Sequence, residues 1–278
     1  QGALPEFPTL RWSVPLGGRL TQPVVVGDTV IVASVDTHTV HALSAADGRE
    51  LWHHTVGGRV DSAPTIHAGS VLFGAADGWV TCLDARDGAS VWRFRAAPEE
   101  RLVNAYGQLE STWPVHGSVL VQNDTVYALA GRSSYLNGGL VLYRLNPRTG
   151  EQLSRTVLYH LDPETGEQLV PESRFNMEGT TSDILSGDGD SVFLKYFTFD
   201  REGQRIESAS DRLFAIAGLL GEEWFVRSYW IIGREIGAGW GGWADAANRY
   251  PSGRILAFNS DRICGYGRCK VAGGPVGH

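Results

Sequence analysis

The sequence is short of basic charge and of long apolar runs, and each shortage excludes a class of protein. Its 278 residues include 24 Lys and Arg against 31 Asp and Glu, a net charge of −7. Nucleic-acid binders need clustered Lys and Arg at phosphates, so we expect no nucleic-acid partner. No apolar run approaches the roughly 20 residues that cross a bilayer, so no membrane span is expected. No signal peptide is recognisable, and the chain opens at Gln1, as a processed or truncated product does.

Cysteine is also scarce, and the three cysteines show no metal-binding spacing with histidine. We therefore predict no metal. Cys82 lies in an alternating run and is expected to be a small core residue. Cys264 and Cys269 flank Gly-Tyr-Gly-Arg, where a tight turn could bring the sulfurs together, but spacing alone leaves this disulfide open.

Glycine is plentiful, at 35 residues, and the first hundred residues contain a clear repeat. The segment Pro23–Trp52 is followed by the similar segment Pro64–Trp92, so the two tryptophans lie 40 residues apart. Asp47-Gly48 and Asp87-Gly88 keep the same spacing. Each unit holds four short β runs separated by turn residues, which is typical of a propeller blade. One blade cannot bury both of its faces alone, so blades must stack around an axis.

The predicted fold is therefore an all-β propeller of four-stranded antiparallel blades, with about five blades in a single domain over residues 1–278. The fourth blade is expected to use strands near Ser182–Ser186, Ser191–Phe199, Arg212–Ala217 and Ser228–Ile232. The expected blades are about 20–57, 62–96, 113–158, 182–232 and 252–278, the last completed by 9–14. Pairing of the two ends, with Trp12 placed like Trp52 and Trp92, would close the ring and remove exposed edges. A fragment of a seven- or eight-bladed ring is the alternative.

The repeats resemble those of the PQQ-like (quinoprotein-type) propeller superfamily. The resemblance is carried by Ala42–Trp52, with Ser-Ala-Ala-Asp-Gly-Arg-Glu-Leu-Trp, and by Cys82–Trp92, with Asp-Ala-Arg-Asp-Gly-Ala-Ser-Val-Trp. The second half looks like poorly characterised bacterial propellers of planctomycete type, through Met177-Glu-Gly, Gly239-Trp-Gly-Gly-Trp243 and Pro251–Ile255. The resemblance implies either quinone-dependent dehydrogenases, envelope scaffolds or polysaccharide-degrading propellers. The quinone enzymes generally carry adjacent cysteines and eight blades; this chain has no Cys-Cys pair, so no cofactor is predicted.

Long connections indicate where a site would lie. In a blade with strands A to D, the D–A and B–C connections open on one face, and the A–B and C–D turns open on the other. Long ordered loops usually carry function, so the first face is the expected binding surface. The long segments expected there are Ala96–Trp113, Arg132–Gly138, Arg174–Thr181, Asp200–Asp211 and Gly233–Ser252.

Aromatic and arginine side chains on these segments would suit an acidic saccharide, because flat rings stack on sugars and Arg holds carboxylates. The alternative is that the tryptophans pack blades and the arginines pair with Asp and Glu. The predicted ligand-binding residues are Trp113, Arg132, Tyr135, Glu178, Arg227, Trp240, Trp243 and Arg254. Candidate acid–base residues are Glu178, Asp183 and His116.

Two main hypotheses follow. The preferred one is a non-catalytic binding module or scaffold that presents this face to a glycan or an envelope protein, in the periplasm or outside the cell. The alternative is a polysaccharide lyase or glycoside hydrolase that acts on an acidic glycan at the same face. A quinone or electron-transfer enzyme is the third.

Overall fold

The computed structural model describes residues 9–169, 179–207, 211–214, 219, 230–233, 250–253, 255–259 and 261–266. Every regular element in these residues is a β-strand, which confirms the all-β prediction. No helix in them is long and apolar enough to cross a bilayer. Four antiparallel sheets have four strands each, in simple sequential order, as propeller blades do.

Blades 1 and 2 follow the sequence repeat closely. Blade 1 consists of β1 (Val24–Val26), β2 (Thr29–Ser34), β3 (Thr39–Ser44) and β4 (Glu50–Thr55). Blade 2 consists of β5 (Thr65–His67), β6 (Ser70–Gly74), β7 (Trp79–Asp84) and β8 (Ser90–Arg95). The ladder between the last two strands shifts register at the same place in both, after Ala42 and after Cys82. Cys82 is fully buried, as predicted.

An additional hairpin precedes blade 3. It consists of β9 (Leu102–Ala105) and β10 (Gln108–Ser111) and is called the inserted hairpin below. Blade 3 then comprises β11 (Leu120–Gln122), β12 (Thr125–Ala130), β13 (Leu140–Leu145) and β14 (Gln152–Leu158). After blade 3, Asp162–Leu169 folds back on itself through the Leu161–Gln168 bridge and forms a short arm.

Blade 4 differs from the expected strands. The predicted strand Ser191–Phe199 is a hairpin, because Lys195 takes a left-handed φ of 49° and turns the chain between two short strands. The blade ends by Ile206, so Asp200–Gln204 is a C–D turn and not part of a long connection. Its strands are β15 (Ser186–Gly187), β16 (Val192–Leu194), β17 (Phe197–Phe199) and β18 (Arg205–Ile206).

The strands expected at Arg212–Ala217 and Ser228–Ile232 belong to a separate sheet. β19 (Arg212–Phe214), β20 (Trp230–Gly233) and β21 (Ser252–Gly253) pair in that order. A two-stranded hairpin of β22 (Ile255–Phe258) and β23 (Ile263–Tyr266) follows. Residues 9–14 form no strand, and the closing of a ring by the two ends stays a prediction, as does the single domain over 1–278.

The cores lie between consecutive blades rather than within one. One apolar cluster joins blades 1 and 2, through residues such as Ile31 and Phe73. A second joins blades 2 and 3, and a third joins blades 3 and 4, through Leu142 and Phe199 among others. Face-to-face burial between neighbours is what stacks the blades, since each sheet is apolar on both sides.

Tryptophan side chains form hydrogen bonds across the outer part of the interfaces that lead into blades 1, 2 and 3. The indole N–H groups of Trp12, Trp52 and Trp92 donate to the carbonyls of Ala45 (3.0 Å), Ala85 (3.0 Å) and Pro147 (2.9 Å) of the following blade. The three indoles thus occupy equivalent positions, as the sequence predicts for Trp12, Trp52 and Trp92. The corresponding position in blade 3 is Ser154, whose hydroxyl donates to the carbonyl of Glu202 at 3.2 Å.

Candidate functional site

The long connections of blades 1 to 3 meet on one face of the molecule, called the loop face below. The D–A connection 96–119 reaches the B–C connection of blade 3, where Arg101 donates to Oδ1 of Asn137 at 2.7 Å. The inserted hairpin belongs to the same D–A connection and reaches back to blade 1, where Gln108 Oε1 lies 2.7 Å from His38 Nε2. The hairpin therefore lies across the loop face and bridges connections from blades 1, 2 and 3.

A buried network of charged side chains holds this face together. Arg59 contacts Asp61 at 3.1 Å and Oε2 of Glu110 at 2.7 Å. His116 Nδ1 lies 2.7 Å from Oδ2 of Asp61. Arg132 closes the network through an ion pair with Oε1 of Glu110. Since the side chains of Arg59, Asp61, Glu110 and His116 are at most 4% exposed, these groups pair with one another and not with a ligand in solvent.

The network joins segments that are distant in sequence. Arg59 and Asp61 come from the connection into blade 2, whereas Glu110 is the third residue of β10 in the inserted hairpin. Arg132 comes from the B–C connection of blade 3 and also donates to the carbonyl of Ser111 at 3.2 Å. Glu110 therefore attaches the base of the hairpin to blades on both sides.

The pKa of Asp61 indicates that the network stabilises the charged form of its members. Burial by itself would raise the pKa of Asp61, but hydrogen bonds and charge from His116 and Arg59 outweigh it and hold the pKa below its ordinary value. Burial likewise opposes the charge of Arg59, yet Asp61 and Glu110 keep its pKa raised. A paired, hydrogen-bonded cluster of this kind loses several kcal/mol when one partner is removed, because the other charge stays buried.

A second buried pair lies one connection further on. Asp183 Oδ2 is 3.8 Å from Nζ of Lys195, which donates to the hydroxyl of Thr181 at 3.0 Å. Burial raises the pKa of Asp183 to about 6, against the opposing charge of Lys195. Burial also lowers the pKa of Lys195. Opposite charge and hydrogen bonds therefore offset less of the cost of burial at Asp183 than they do at Asp61 in the network around Glu110.

The comparisons with known proteins bear on this face directly. A model of a PQQ-like repeat family, described as outer membrane protein assembly factor BamB, matches residues 8–170, which is more than half of the chain. The chain belongs to this family. The matched residues include blades 1 to 3, the inserted hairpin and the whole network around Glu110.

Curated relatives carry the same name. Outer membrane protein assembly factor BamB of Shewanella oneidensis is 31% identical over 148 residues, which are 50% of this chain and 34% of that protein. The BamB of Moranella endobia is 27% identical over 127 residues, 44% of this chain and 32% of the relative. The chain thus spans about a third of the length of these relatives.

Solved structures are similar at a low level. The BamB of Moraxella catarrhalis matches with a TM-score of 0.43 and 20% identity over 71% of this chain and 66% of that one. A quinohemoprotein alcohol dehydrogenase of Pseudomonas putida HK5 gives a TM-score of 0.48 and 21% identity over 60% and 24% of the two chains. Scores of this size carry no conclusion about function.

The predicted ligand residues of this BamB family member are placed as follows. Trp113 is buried; its indole donates to the carbonyl of Asn137 at 2.9 Å, and Arg101 lies 4.9 Å from the ring centroid. The guanidinium of Arg132 forms an ion pair with the carboxylate of Glu110. The ring of Tyr135 lies 5.5 Å from the ring of His160, at an interplanar angle of 37°. Their role in ligand binding stays a prediction. Glu178, Arg227, Trp240, Trp243 and Arg254 lie outside the described residues.

Of the candidate acid–base residues, His116 and Asp183 lie in the described part of the chain, and Glu178 lies outside it. His116 is bound to Asp61, and Asp183 is bound to Lys195. Both side chains are buried, and their catalytic role stays a prediction. In the part of the chain that the structure describes, no group of His, Cys, Asp and Glu is arranged to hold a metal ion.

Sequence analysis missed Arg59 and Asp61, although the sequence contains a signal for Arg59. Gly17-Gly18-Arg19 and Gly57-Gly58-Arg59 repeat with the 40-residue spacing of the blades. The two arginines differ in their partners: Arg19 pairs with exposed Asp36, while Arg59 turns inward to Asp61 and Glu110. Two residues after the arginine, the first repeat has Thr21 and the second has Asp61. This difference is the signal in the sequence that could have indicated a charged cluster.

Proposed function

We propose that this chain is a non-catalytic binding module that docks protein partners in the periplasm during outer membrane protein assembly. The observation that carries the proposal is the family match over residues 8–170, which covers the loop face of blades 1 to 3. The names of the curated relatives support the same role. Because the chain spans about a third of their length, the role in assembly is a proposal for this chain and needs its own experimental test.

The chemistry of the loop face supports docking rather than catalysis. A catalytic acid or base must reach a substrate atom, with a pKa suited to proton transfer. The titratable groups of the network around Glu110 are instead buried and paired with one another. These buried contacts hold the inserted hairpin in a fixed position, as a binding scaffold requires.

Carbohydrate binding has weaker support. Of the aromatic residues on which that prediction rests, Trp240 and Trp243 lie outside the described residues. Trp113 is buried and covered by Arg101. No family or relative found by comparison is described as a carbohydrate binder. The binding of an acidic glycan therefore remains a prediction, and a protein is the proposed partner.

The proposal can be tested in the organism of origin. A photo-crosslinking amino acid at exposed Leu109 of the inserted hairpin should capture proteins of outer membrane assembly. The matched control is the same amino acid at Arg86, an exposed residue in a C–D turn on the opposite face. Deletion of the protein should also lower the level of folded outer membrane proteins. Unchanged levels, together with identical crosslinks from both positions, would contradict the proposal.

A further inference from the structure

The inserted hairpin presents an apolar surface to solvent. Leu102, Tyr106 and Leu109 are 58%, 61% and 67% exposed. Leu109 and Asn104 are directly opposite in the ladder, and Leu102 lies two residues from Asn104, so these three side chains share one side of the hairpin. Several exposed apolar side chains on one small sheet are typical of an interaction surface.

The tip of the hairpin is held in an uncommon conformation. Tyr106 and Gly107 both have positive φ, 52° and 75°, which is a type I′ turn. The first of these positions normally favours Asn, Asp or Gly, and a bulky aromatic residue there costs free energy. Tyr106 is retained in this position with Arg59 4.8 Å from its ring centroid. An exposed aromatic ring held against its backbone preference suggests that the ring itself is used.

The two edges of the hairpin differ. In β10, the N–H of Ser111 donates to the carbonyl of Ala76 at 2.8 Å, so that edge is joined to blade 2. In the two-residue hairpin, Ala105 and Gln108 form the hydrogen-bonded pair next to the turn. Alternation along the ladder then points the backbone groups of Asn104 and Leu102 outward from β9. Within the described residues, no backbone hydrogen bond connects these outward groups to another segment.

The charges near this edge are acidic. Glu99 and Glu100 are exposed and lie just before β9. Of the neighbouring arginines, Arg59 and Arg132 are paired with the carboxylates of Asp61 and Glu110, and Arg101 donates to the amide oxygen of Asn137, which leaves two acidic and one basic side chain just before β9. An apolar surface beside exposed carboxylates favours a partner that combines apolar and basic side chains.

We propose that the β9 edge of the inserted hairpin binds an extended segment of a partner protein by strand addition, and that the segment alternates apolar with basic residues. The outward backbone groups of Leu102 and Asn104 supply the hydrogen bonds, and Leu102, Tyr106 and Leu109 contact the apolar side chains. Glu99 and Glu100 select basic residues. This inference rests on the proposed function, since it names the kind of partner that the loop face docks.

The test uses a fluorescent nine-residue peptide in which Lys alternates with Val and Leu. Fluorescence anisotropy should show saturable binding to the full chain, and a peptide with Glu in place of Lys should bind at least about tenfold more weakly. Amide exchange should slow at Leu102 and Asn104 when the Lys peptide is bound. Absence of peptide binding, or protection elsewhere only, would overturn strand addition at β9.

Variants of the edge make the test specific. Asn104→Pro removes an outward donor without removing a bond of the hairpin ladder, and it should weaken binding about tenfold, whereas Asn104→Ser should change it little. Should the proline variant unfold, the double substitution Glu99→Lys and Glu100→Lys gives an independent test, because it should abolish the preference for the Lys peptide. Equal binding by all variants would contradict the proposal.

The outcome also separates the two proposals. Crosslinks from Leu109 to assembly proteins, without any peptide binding at β9, would leave the docking function standing and reject strand addition. Peptide binding at β9 without crosslinks to assembly proteins would establish the edge as a peptide site and reject the role in outer membrane assembly.

Discussion

Trp52 lies against Gly88 of the next blade so closely that a Cβ atom on Gly88 would come within 2.6 Å of the indole Cε3. Gly48 and Gly150 have the same relationship to Trp12 and Trp92. These glycines also have positive φ, near 72–75°. The Asp-Gly pairs in the sequence repeat therefore serve two purposes, since they permit the left-handed turn and make room for the ring.

The first prediction separates these two purposes. Gly88→Ala should destabilise the fold by about 2–4 kcal/mol, from the left-handed conformation together with the contact with Trp52. Gly69→Ala is the matched control, because Gly69 has a φ of 82° but no atom within 4 Å of an added Cβ. It should lose only about 1 kcal/mol. Urea unfolding of both variants measures the difference, and equal losses would show that the tryptophan contact contributes nothing.

The second prediction concerns the buried network. Glu110→Gln keeps the shape of the side chain but leaves Arg59 and Arg132 without their shared carboxylate, so it should destabilise the protein by about 3–5 kcal/mol. Asp84→Asn, which removes the partner of exposed Arg86, is the control and should leave the unfolding free energy nearly unchanged. Chemical denaturation of the two variants tests this. A loss at Glu110 no larger than at Asp84 would mean that solvent screens the network.

The third prediction is a pH dependence from Asp183. Its pKa of about 6 in the folded protein lies above the ordinary carboxyl value of 3.8, so the folded state binds the proton more tightly than the unfolded state. Stability from this group is therefore fully present below about pH 4 and is lost as pH rises through about 6, by roughly 2–3 kcal/mol.

Asp183→Asn should remove that dependence. We expect the difference in unfolding free energy between the wild type and this variant to change steadily from pH 4 to pH 7, with the wild type losing ground as the pH rises. Urea unfolding at several pH values measures it, and the histidines common to both proteins cancel in the comparison. A difference that is independent of pH would show that the pKa of Asp183 is the same in the folded and the unfolded protein.

The fourth prediction sets stability against binding at the hairpin tip. Tyr106→Asn relieves the strain of the left-handed backbone but loses the contact with Arg59. The two effects oppose each other, so the free energy of unfolding should change by no more than about 1 kcal/mol and the melting temperature should change little. Binding of the alternating Lys peptide should nevertheless fall, since the aromatic ring is lost. Thermal unfolding and anisotropy on the same preparation check this. Unchanged peptide affinity would exclude a contact role for Tyr106.

Much of the fold was predictable because the repeat encodes contacts between neighbouring blades. Trp52, Trp92 and their Asp-Gly turns specify both the four-stranded unit and the way it meets the next one. Trp12 was recognised for the same reason. Blade 4 was harder, because Lys195 turns the chain without Gly, Asn or Pro, and a run of apolar and aromatic residues around it reads as one strand.

The site was less predictable, since a network joins residues whose proximity depends on loop paths. The sequence placed His116 and Arg132 on the correct face, but it could not show that Asp61 and Glu110 would meet them. The inserted hairpin is similarly hidden, because Tyr106-Gly107 is a turn that propensity alone does not favour. Charge pairing across loops is decided by the fold and not by local spacing.

Ser154 stands where blades 1 and 2 carry tryptophan, so among the described residues the outer part of the junction between blades 3 and 4 has no indole and is joined there by hydrogen bonds from Ser154 and Arg144 to the carbonyl of Glu202. In a linear array of blades, the weakest junction determines where the array divides. We expect blades 1 to 3 to behave as one cooperative unit that survives partial unfolding of the rest. Such a unit would keep the inserted hairpin and the charged network around Glu110 intact, so the proposed docking surface would outlast the second half of the chain under heat or mechanical load.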